Sequence, residues 1–341
     1  MSYTNRIFGA ALIKVINANY NADFSGQPRT LPNGVVYATD KALKYSVKNF
    51  VKDFFPEEYV FYFKRINQQK TGDAKPFSLI EAFCAKNPSL AEVVISKKKK
   101  NPDDDDENKM TVKLKANKTE VTKALLDCID IRLFGATFAM KGAEKKDNIA
   151  ISIHGPVQIN HGVNIWDENN FYSEQIMSPF RNPNEDSEDN SATTLGRQTK
   201  LHEGHYLHHF SINPKNLEDI ITLAGIGAKN ISDKDIEKLK EALRKGVTYY
   251  DSAAKTGCEN EALIWVTLND NSKLVFPNFS QLIKMEKEKT EEGKVILDFS
   301  ELKRVLDANN SEIKSVEIFL NSASVEIKKE TILENVAISD I

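Results

Sequence analysis

The order of strand-like and helix-like segments is the feature that most limits what this chain can fold into. Residues 7–16 are apolar and rich in isoleucine, which is typical of a buried strand. A helix is predicted between Thr39, a suitable N-cap, and Pro56, because apolar residues recur there at helical spacing. Further strands are predicted over residues 59–66, 131–140, 149–159, 206–212 and 262–268.

A second strong helix is predicted over residues 232–245, where Ser232 caps the start and Gly246 ends the helix. The principal order is then strand, helix, strand, strand, helix, strand, with insertions after the first helix and after the third strand. This is the plan of ferredoxin-like domains and of RNA-recognition modules, so an α+β fold is expected. Smaller elements are predicted over residues 119–127, with Thr119 as cap, and over residues 274–276, 295–299, 300–307 and 316–320.

Three segments between these elements have a different character. Residues 17–38 form a long loop filled with Asn, Asp, Gly and Pro, and loops of that length are usually functional or disordered. Residues 67–118 contain four consecutive lysines followed closely by four consecutive aspartates. No packed element tolerates that run, which predicts an exposed, mobile loop within an insertion. Residues 166–200 are irregular and polar.

Charge is distributed unevenly along a chain whose net charge is only −3. The first 100 residues hold 16 lysines and arginines against 8 acids, whereas residues 101–200 sum to −5 and residues 201–341 to −6. A basic surface built from the N-terminal third is therefore expected, with a chance imbalance as the alternative. Lys41, Lys44, Lys48 and Lys52 form one stripe on the first helix. They suit a track of phosphates, and a solvated helix face is the alternative.

Several classes of protein are disfavoured. The three cysteines lie far apart without a C-x-x-C motif, no stretch approaches the ~18 apolar residues of a membrane span, and neither a phosphate-binding loop nor a nucleophile elbow occurs. A cytoplasmic protein without cofactor, metal or membrane contact is expected. Four of the six histidines lie between His202 and His209. Their spacing does not match a zinc motif and predicts polar histidines at a sheet edge. A ferredoxin-like enzyme using them stays open, and stoichiometric zinc in the purified protein would support it.

Several short segments together resemble one protein family. They are Asn-Ala-Asn-Tyr-Asn-Ala-Asp from Asn17, Gly-Gln-Pro-Arg ending at Arg29, Thr-Asp-x-x-Leu-Lys from Thr39, Asp-Ile-Arg-Leu-Phe-Gly from Asp130, Gly-Pro-Val-Gln-Ile-Asn from Gly155, Gly-Arg at Gly196 and Asp-Ser at Asp251. The chain is similar to the repeated backbone subunit of type I CRISPR Cascade complexes (the Cas-seven family of the RAMP superfamily), nearest to its type I-B branch. The resemblance spans roughly residues 5 to 270.

The resemblance implies a ferredoxin-like, RRM-like palm formed by residues 1–66, 119–165 and 201–341. It implies a helical finger insertion over residues 67–118, with the mobile charged loop inside it, and a thumb hairpin over residues 166–200. The implied function is that of a non-catalytic subunit in antiviral defence. Such subunits polymerise as a helical filament along the spacer of the CRISPR RNA beside other Cascade subunits, and the guide then pairs with target DNA.

The resemblance also implies which residues bind the guide. The RNA-binding set is Arg29, Lys41, Lys44, Lys48, Arg132, Gln158, Asn160, Arg197 and Lys200. These side chains should contact phosphates and sugars, because a subunit that accepts any spacer gains nothing from reading bases. Three apolar residues in the polar thumb are candidate wedges between bases: Met177, Phe180 and Leu195. Packing of the thumb onto the palm is their alternative role.

Catalysis is the alternative function that the resemblance leaves open. Related type III subunits cut target RNA with a loop aspartate, and Asp23 lies in a comparable loop. The chain lacks the Gly-Ser-Ser-x-(Lys/Arg)-Gly segment of those proteins. An RNA endonuclease using Asp23 would make metal-dependent, periodic cuts in a complementary RNA, and the Asp23→Ala variant would not.

Overall fold

A computed structural model describes residues 2–68, 74–98, 107–141, 144–145, 148–177, 195–333 and 336–341. The described chain is mixed α/β. It divides into two compact units, each considered alone below. Unit 1 comprises Met1–Thr4, Val51–Gln158 and Asn213–Glu237. Unit 2 comprises Asn5–Phe50, Ile159–Ile212 and Lys238–Ile341.

The described residues form seven α-helices and eighteen strands, besides short 3-10 helices. The helices are α1 (Asp40–Phe54), α2 (Leu79–Lys86), α3 (Lys118–Leu126), α4 (Ile129–Phe134), α5 (Glu218–Ala224), α6 (Asp233–Tyr249) and α7 (Ser300–Ala308). The strands are β1 (Ile7–Ala18), β2 (Tyr37–Ala38), β3 (Ile66–Gln68), β4 (Ala74–Pro76), β5 (Ala91–Lys98), β6 (Glu107–Leu114), β7 (Gly135–Met140), β8 (Ile149–His154), β9 (Val157–Ile159), β10 (Gly162–Asn164), β11 (Phe171–Met177), β12 (Leu195–Ile212), β13 (Cys258–Leu268), β14 (Lys284–Met285), β15 (Val295–Asp298), β16 (Ile313–Leu320), β17 (Val325–Ile327) and β18 (Ala337–Asp340).

The main sheet of unit 2 has β1 at its centre. Its strand order is β18-β16-β13-β1-β12-β10-β2. The neighbours of β1 both run antiparallel to it, with Ile7 opposite Ile212 of β12 and Thr267 of β13. Strand β10 is antiparallel to β12, whereas β18 is parallel to β16. Because both faces of β1 are covered, its residues are apolar almost without alternation, as a strand of that kind requires.

Two layers cover the faces of this sheet. On one face, Phe8, Leu12 and Ile264 pack in a cluster with Phe279 and Leu297 from the C-terminal part of the chain. On the other face, the Phe210 and Trp265 rings contact each other, with centroids 5.4 Å apart, and the Lys240 ammonium of α6 lies 5.0 Å from the Trp265 centroid. The C-terminal segment is therefore part of the core.

Gly246 lies inside α6 and does not end it, so that prediction was wrong. A Cβ at Gly246 would lie 3.1 Å from the Ser46 carbonyl oxygen of α1, so the glycine permits close packing of the two helices. Buried Asn260 holds the last turn instead. Its Oδ1 accepts hydrogen bonds from the Val247 and Thr248 N–H groups at 2.9 and 3.0 Å, and its Nδ2 donates to the Leu243 carbonyl at 2.8 Å.

Unit 1 contains short helices and two-stranded ribbons, β3–β4, β5–β6 and β7–β8. The Phe138 ring packs against Phe61 and Phe83, at centroid distances of 6.0 and 5.1 Å. Helix α3 begins with a capping box at Asn117, one of whose partners is Glu120, and not with the predicted cap Thr119. Within residues 67–118, α2 is the one helix among the described residues before α3 begins at Lys118, and the rest of that described segment is largely strand.

Three predicted elements of the chain differ in the structure. Residues 59–66 turn sharply, because the Phe61 and Tyr62 N–H groups donate to the Asp130 carboxylate, each at 2.8 Å. Residues 131–140 are a helix followed by a strand, and Gly135 makes the change in the left-handed region at φ 73°. Residues 274–276 are an irregular segment of unit 2.

The strand predicted over residues 206–212 is much longer in the structure. Strand β12 has 18 residues, and its first part pairs with β11 in an antiparallel ribbon from Phe171 opposite Leu201 to Met177 opposite Leu195. Phe180 lies outside the described residues. In the predicted mobile loop, Lys97 and Lys98 belong to β5, Glu107 begins β6, and residues 99–106 lie outside the described residues.

Candidate functional site

The long loop after β1 is folded by hydrogen bonds from its own asparagines. Buried Asn19 donates from Nδ2 to the Gly26 carbonyl at 3.2 Å and to the Thr199 carbonyl of β12 at 3.1 Å. Asn21 Oδ1 accepts from both the N–H and the hydroxyl of Thr39, at 2.9 and 3.0 Å, just before α1. Because Asn is suited to such local bonds, the sequence folds here into a structured loop.

Asp23 forms the tip of this loop. Its Oδ1 accepts hydrogen bonds from the Ser25 N–H at 2.8 Å, the Ser25 hydroxyl at 2.8 Å and the Gln27 N–H at 2.9 Å. These bonds, that of the Ser25 hydroxyl foremost, lower the pKa of Asp23 below its ordinary value. The carboxylate therefore shapes a turn, and Gly26 follows at φ 82°.

The lysine stripe on α1 is not uniformly exposed. Asp40 pairs with Lys41 at 2.8 Å and with Lys44 at 3.1 Å. Burial alone would raise the pKa of Asp40, but the bonds to the two ammonium groups outweigh it and lower that pKa. The Lys41 side chain is 80% exposed and that of Lys44 only 16%, while Lys48 is half-buried. Lys41 is thus the accessible cation of the three.

Lys41 also borders a groove of about 520 Å³ in unit 2. The groove is lined by Asp40, Lys41, Ile159, Asn160, His161, Val163, Leu207, His209, Asn278 and Ser280. The His161 side chain is 52% exposed, and its ring lies 5.4 Å from that of Tyr37. The Asn160 side chain is exposed as well. An ammonium, an imidazole and amide groups are donors that suit an anionic, polar strand.

Two further predicted residues lie at the foot of the β11–β12 ribbon, which is the end where β12 continues into the main sheet. Arg197 is exposed and lies opposite Gln175 of β11. Lys200 lies opposite Tyr172 and pairs with Glu174 at 3.3 Å. Thr199, between them, receives the hydrogen bond from Asn19, so these cations adjoin the loop that carries Arg29. Arg29 is half-buried, and its backbone N–H donates to the Asn21 carbonyl at 3.3 Å.

Arg132 lies in the interior of unit 1, which corrects its expected role as a guide contact. Its side chain is 3% exposed, and its Nη2 lies 2.7 Å from Asp235 Oδ1 and 3.0 Å from Glu58 Oε2. Its Nη1 donates to the Leu126 carbonyl at 3.0 Å. A guanidinium enclosed in this way stabilises the fold and is not presented to a phosphate. Gln158, also in unit 1, is exposed and donates to the Gly155 carbonyl at 2.7 Å.

Two histidines of the predicted edge cluster are completely buried in the sheet, so that placement was wrong. His208 Nδ1 donates to the Asn160 carbonyl at 3.0 Å, and its Nε2 therefore accepts from the Tyr20 hydroxyl at 3.3 Å. Burial lowers the pKa of His208 to about 4. Burial opposes the charge of His205 too, but hydrogen bonds with Glu203 and Glu261, at 3.2 and 2.5 Å, raise its pKa overall.

The described residues contain no group of three His, Cys, Asp or Glu side chains arranged to hold a metal ion. Sequence reasoning missed two exposed rings of unit 2, His161 in the groove and Phe24 beside Asp23. The signal for Phe24 was available, because it is an aromatic residue inside a segment otherwise made of turn formers. His161 gave no local signal, since its position depends on the packing of β10.

The sequence of the chain matches the family model described as CRISPR-associated protein Cas7 over residues 5–307. The chain belongs to the Cas7 family. No curated protein matches this Cas7-family chain. Within the described residues, no helix combines the length and the apolar character needed to cross a bilayer.

Solved structures resemble this Cas7-family chain over nearly its whole length. A chain described as "CRISPR RNA-guided surveillance complex, pre-nicking" is 12% identical, covers 98% of this chain and is itself covered to 96%, with a TM-score of 0.55. Another, described as "CRISPR RNA-guided surveillance complex", is 10% identical, with 94% of each chain covered and a TM-score of 0.43. The first similarity indicates a shared fold.

Proposed function

We propose that this Cas7-family chain is a non-catalytic backbone subunit that binds CRISPR RNA in a type I Cascade complex, nearest to type I-B. The observation that carries the proposal is the structured surface of unit 2, where the asparagine-rich loop and the foot of the β11–β12 ribbon adjoin. Arg29, Arg197 and Lys200 lie on these elements, and Lys41 follows the loop at the start of α1. Family membership and the fold of a surveillance-complex chain support it.

The architecture of the proposal assigns a palm, a thumb and fingers. In unit 2, β1, α1, β10, β12, α6 and β13 follow one another as strand, helix, strand, strand, helix, strand, which supports a ferredoxin-like palm. The β11–β12 ribbon supports a thumb hairpin, and the ribbons β3–β4 and β5–β6 of unit 1 would belong to the fingers. The predicted boundaries at residues 66, 118, 165 and 200 remain part of this proposal.

The guide would be held through its backbone. Within unit 2, Lys41, Asn160 and Arg197 are the exposed members of the predicted set, and Arg29 and Lys200 are half-buried. Lys44 and Lys48 would contribute mainly charge, because their side chains are less exposed. Gln158 stays a candidate, whereas buried Arg132 is left out. Met177, Phe180 and Leu195 remain the proposed wedges of the thumb.

Copies of the chain would line up along the spacer in a filament, next to other Cascade subunits in the cytoplasm, and the bound guide would pair with target DNA.

The first test is to purify the chain alone at moderate salt and to sequence the nucleic acid that accompanies it. The size of the purified assembly is then compared before and after RNase treatment. Large assemblies that RNase disperses are expected. A monomer free of RNA that also ignores added CRISPR RNA would refute the proposal.

A charge variant tests the surface itself. Arg197→Gln should weaken binding to unrelated single-stranded RNAs alike and reduce the log–log salt slope by about 0.7, the value for one lost phosphate contact on a single strand. Arg304→Gln is the matched control, because Arg304 is an exposed arginine on α7 whose side chain is 68% accessible. Equal affinity and slope for the two variants would exclude Arg197 from the interface.

The endonuclease alternative has its own assay with the same protein. The RNA-loaded chain is incubated with a complementary RNA and a divalent metal ion, and the product lengths are measured. Uncut RNA is the expected result. Periodic cuts that disappear in Asp23→Ala would replace the non-catalytic proposal.

A further inference from the structure

Phe24 is a completely exposed aromatic side chain, with a relative accessibility of 106%. It lies at the tip of the loop after β1 and contributes nothing to the core of unit 2. Single exposed apolar residues are common and need no explanation by themselves. The hydrogen bonds that fix this loop, and the residues that adjoin it, point to a specific role for Phe24.

The backbone around Phe24 is fixed on both sides. Asp23 Oδ1 accepts the three hydrogen bonds from Ser25 and Gln27, the Asp23 N–H donates to the Gln27 carbonyl at 2.7 Å, and the Gly26 N–H donates to the Asp23 carbonyl at 3.2 Å. Asn19 joins the Gly26 carbonyl to Thr199 of β12. The ring is therefore presented to solvent by a turn that is already folded, which reduces the entropy lost when it binds something.

The elements that adjoin this turn carry cations and further aromatic rings. Thr199, to which Asn19 is bonded, lies between Arg197 and Lys200 along β12. Opposite Lys200 is Tyr172, 37% exposed, whose hydroxyl donates to Asn17 Oδ1 at 3.1 Å. Cations that bind a backbone, interleaved with rings on which bases stack, are the chemistry of single-strand nucleic-acid binding.

A protein partner fits this surface less well. The residues on either side of Phe24 in the chain are small or polar: Ala22 and Asp23 precede it, and Ser25, Gly26 and Gln27 follow it. A docking site for an apolar protein surface would require a contiguous apolar patch around the ring. A nucleobase needs only one flat face and is indifferent to polar flanks.

We propose that Phe24 stacks on a base of the bound RNA and that Asp23 is the positioning residue that holds it there. This inference rests on the proposed function and deepens it, because it adds to the phosphate contacts a stacking contact that every base can make. The contact is neutral, so it adds affinity without changing the number of phosphates bound. It also gives Asp23 a role that requires its hydrogen bonds and no metal ion.

The test uses the full chain and short unstructured RNAs of different sequence. Phe24→Ala should lower affinity by about 5- to 150-fold, the range for one base–aromatic stack, with an unchanged salt slope. Phe24→Trp should retain affinity, and RNA should quench the fluorescence of the added tryptophan. Ile226 provides the matched control. It is 100% exposed between two glycines with positive φ. Ile226→Ala should bind RNA as tightly as wild type, and RNA should not quench the tryptophan added in Ile226→Trp.

The role of Asp23 is tested in the Phe24→Trp background. Asp23→Asn and Asp23→Ala remove the same charge, but only asparagine keeps an oxygen that can accept the turn hydrogen bonds. Quenching that survives in the asparagine variant and falls in the alanine variant supports positioning. Equal quenching in both would remove that role.

The outcomes separate this inference from the proposed function. If the wild-type chain binds RNA and Phe24→Ala binds equally well, the stacking contact is refuted while the backbone-subunit proposal stands. If wild type binds no RNA, both fail. If Phe24→Ala binds RNA normally but disrupts association between copies of the chain in the absence of RNA, Phe24 belongs to a protein interface and the stacking proposal is overturned.

Discussion

Replacing Arg132 by methionine separates a structural arginine from an RNA contact. The guanidinium makes four hydrogen bonds in unit 1, from Nε and Nη2 to Asp235 at 3.4 and 2.7 Å, from Nη2 to Glu58 at 3.0 Å and from Nη1 to the Leu126 carbonyl at 3.0 Å. The Asp235 side chain is 4% exposed and that of Glu58 13%. Methionine fills a similar volume but removes the guanidinium charge and its hydrogen bonds to these carboxylates.

The expected loss of stability follows from that burial. Removing one partner of a buried ion pair costs about 3–5 kcal/mol, because the remaining charge stays desolvated. Asp235 still accepts hydrogen bonds from Ser232 at the start of α6, which reduces the loss of stability. We expect Arg132→Met to lower the free energy of unfolding by about 3–5 kcal/mol, a large share of the 5–15 kcal/mol typical of native domains. The free energy of unfolding of Arg132→Lys should lie between those of wild type and Arg132→Met, since an ammonium keeps the charge but cannot reproduce the forked geometry of the guanidinium.

Urea denaturation followed by far-UV circular dichroism measures this free energy by linear extrapolation. The control is Arg304→Met, because the Arg304–Glu301 pair on α7 is exposed and such pairs contribute at most about 1 kcal/mol. The salt dependence of RNA binding is measured on the folded fraction of each variant. A variant as stable as the control, or one whose salt slope drops by about 0.7 without loss of stability, would refute the structural role of Arg132.

Two further predictions concern unit 2. His208 has a pKa of about 4 when folded against about 6.5 when unfolded, so its contribution to stability is lost as the pH falls from 6.5 to 4, by up to about 3 kcal/mol. His208→Gln should therefore lose less stability over that pH range than wild type. Equal losses in the two proteins, measured by urea denaturation at several pH values, would contradict the pKa assigned to His208. Asn260→Ala removes the three hydrogen bonds that a buried side chain makes to the last turns of α6, so its free energy of unfolding should fall by about 2 kcal/mol or more. Exposed Asn269→Ala should stay within about 0.5 kcal/mol of wild type, and a similar value for Asn260→Ala would refute its role as a helix stop.

The fold was predicted well where a periodic pattern is local. The strand at β1 and the helix α1 were both expected, because an apolar run and an apolar face at helical spacing are visible within a dozen residues. Residues 131–140 were misassigned for the converse reason. A short helix of six residues, almost all buried, has no polar face, so its pattern cannot be told from that of a buried strand.

The sequence proposed the chemistry of the candidate site, and only the structure shows how accessible its residues are. Lys41 and Arg197, which the sequence proposed as RNA contacts, are accessible in the structure, as most lysines and arginines are. Phe24 and His161 were missed, because nothing in a linear pattern distinguishes an exposed ring in a loop from one that packs inward. Their exposure depends on turn hydrogen bonds and on strand pairing.

The sequence by itself determined the class of the fold, the order of its main elements and, through short motifs, the family. Only the tertiary structure decided what the polar residues of those motifs do. Arg132 meets Asp235 across 103 positions and His205 meets Glu261 across 56, so neither pairing leaves a trace in the local pattern. Helical and strand periodicity record which side of an element is buried, whereas the partner of a buried charge is fixed by packing between elements distant in the chain.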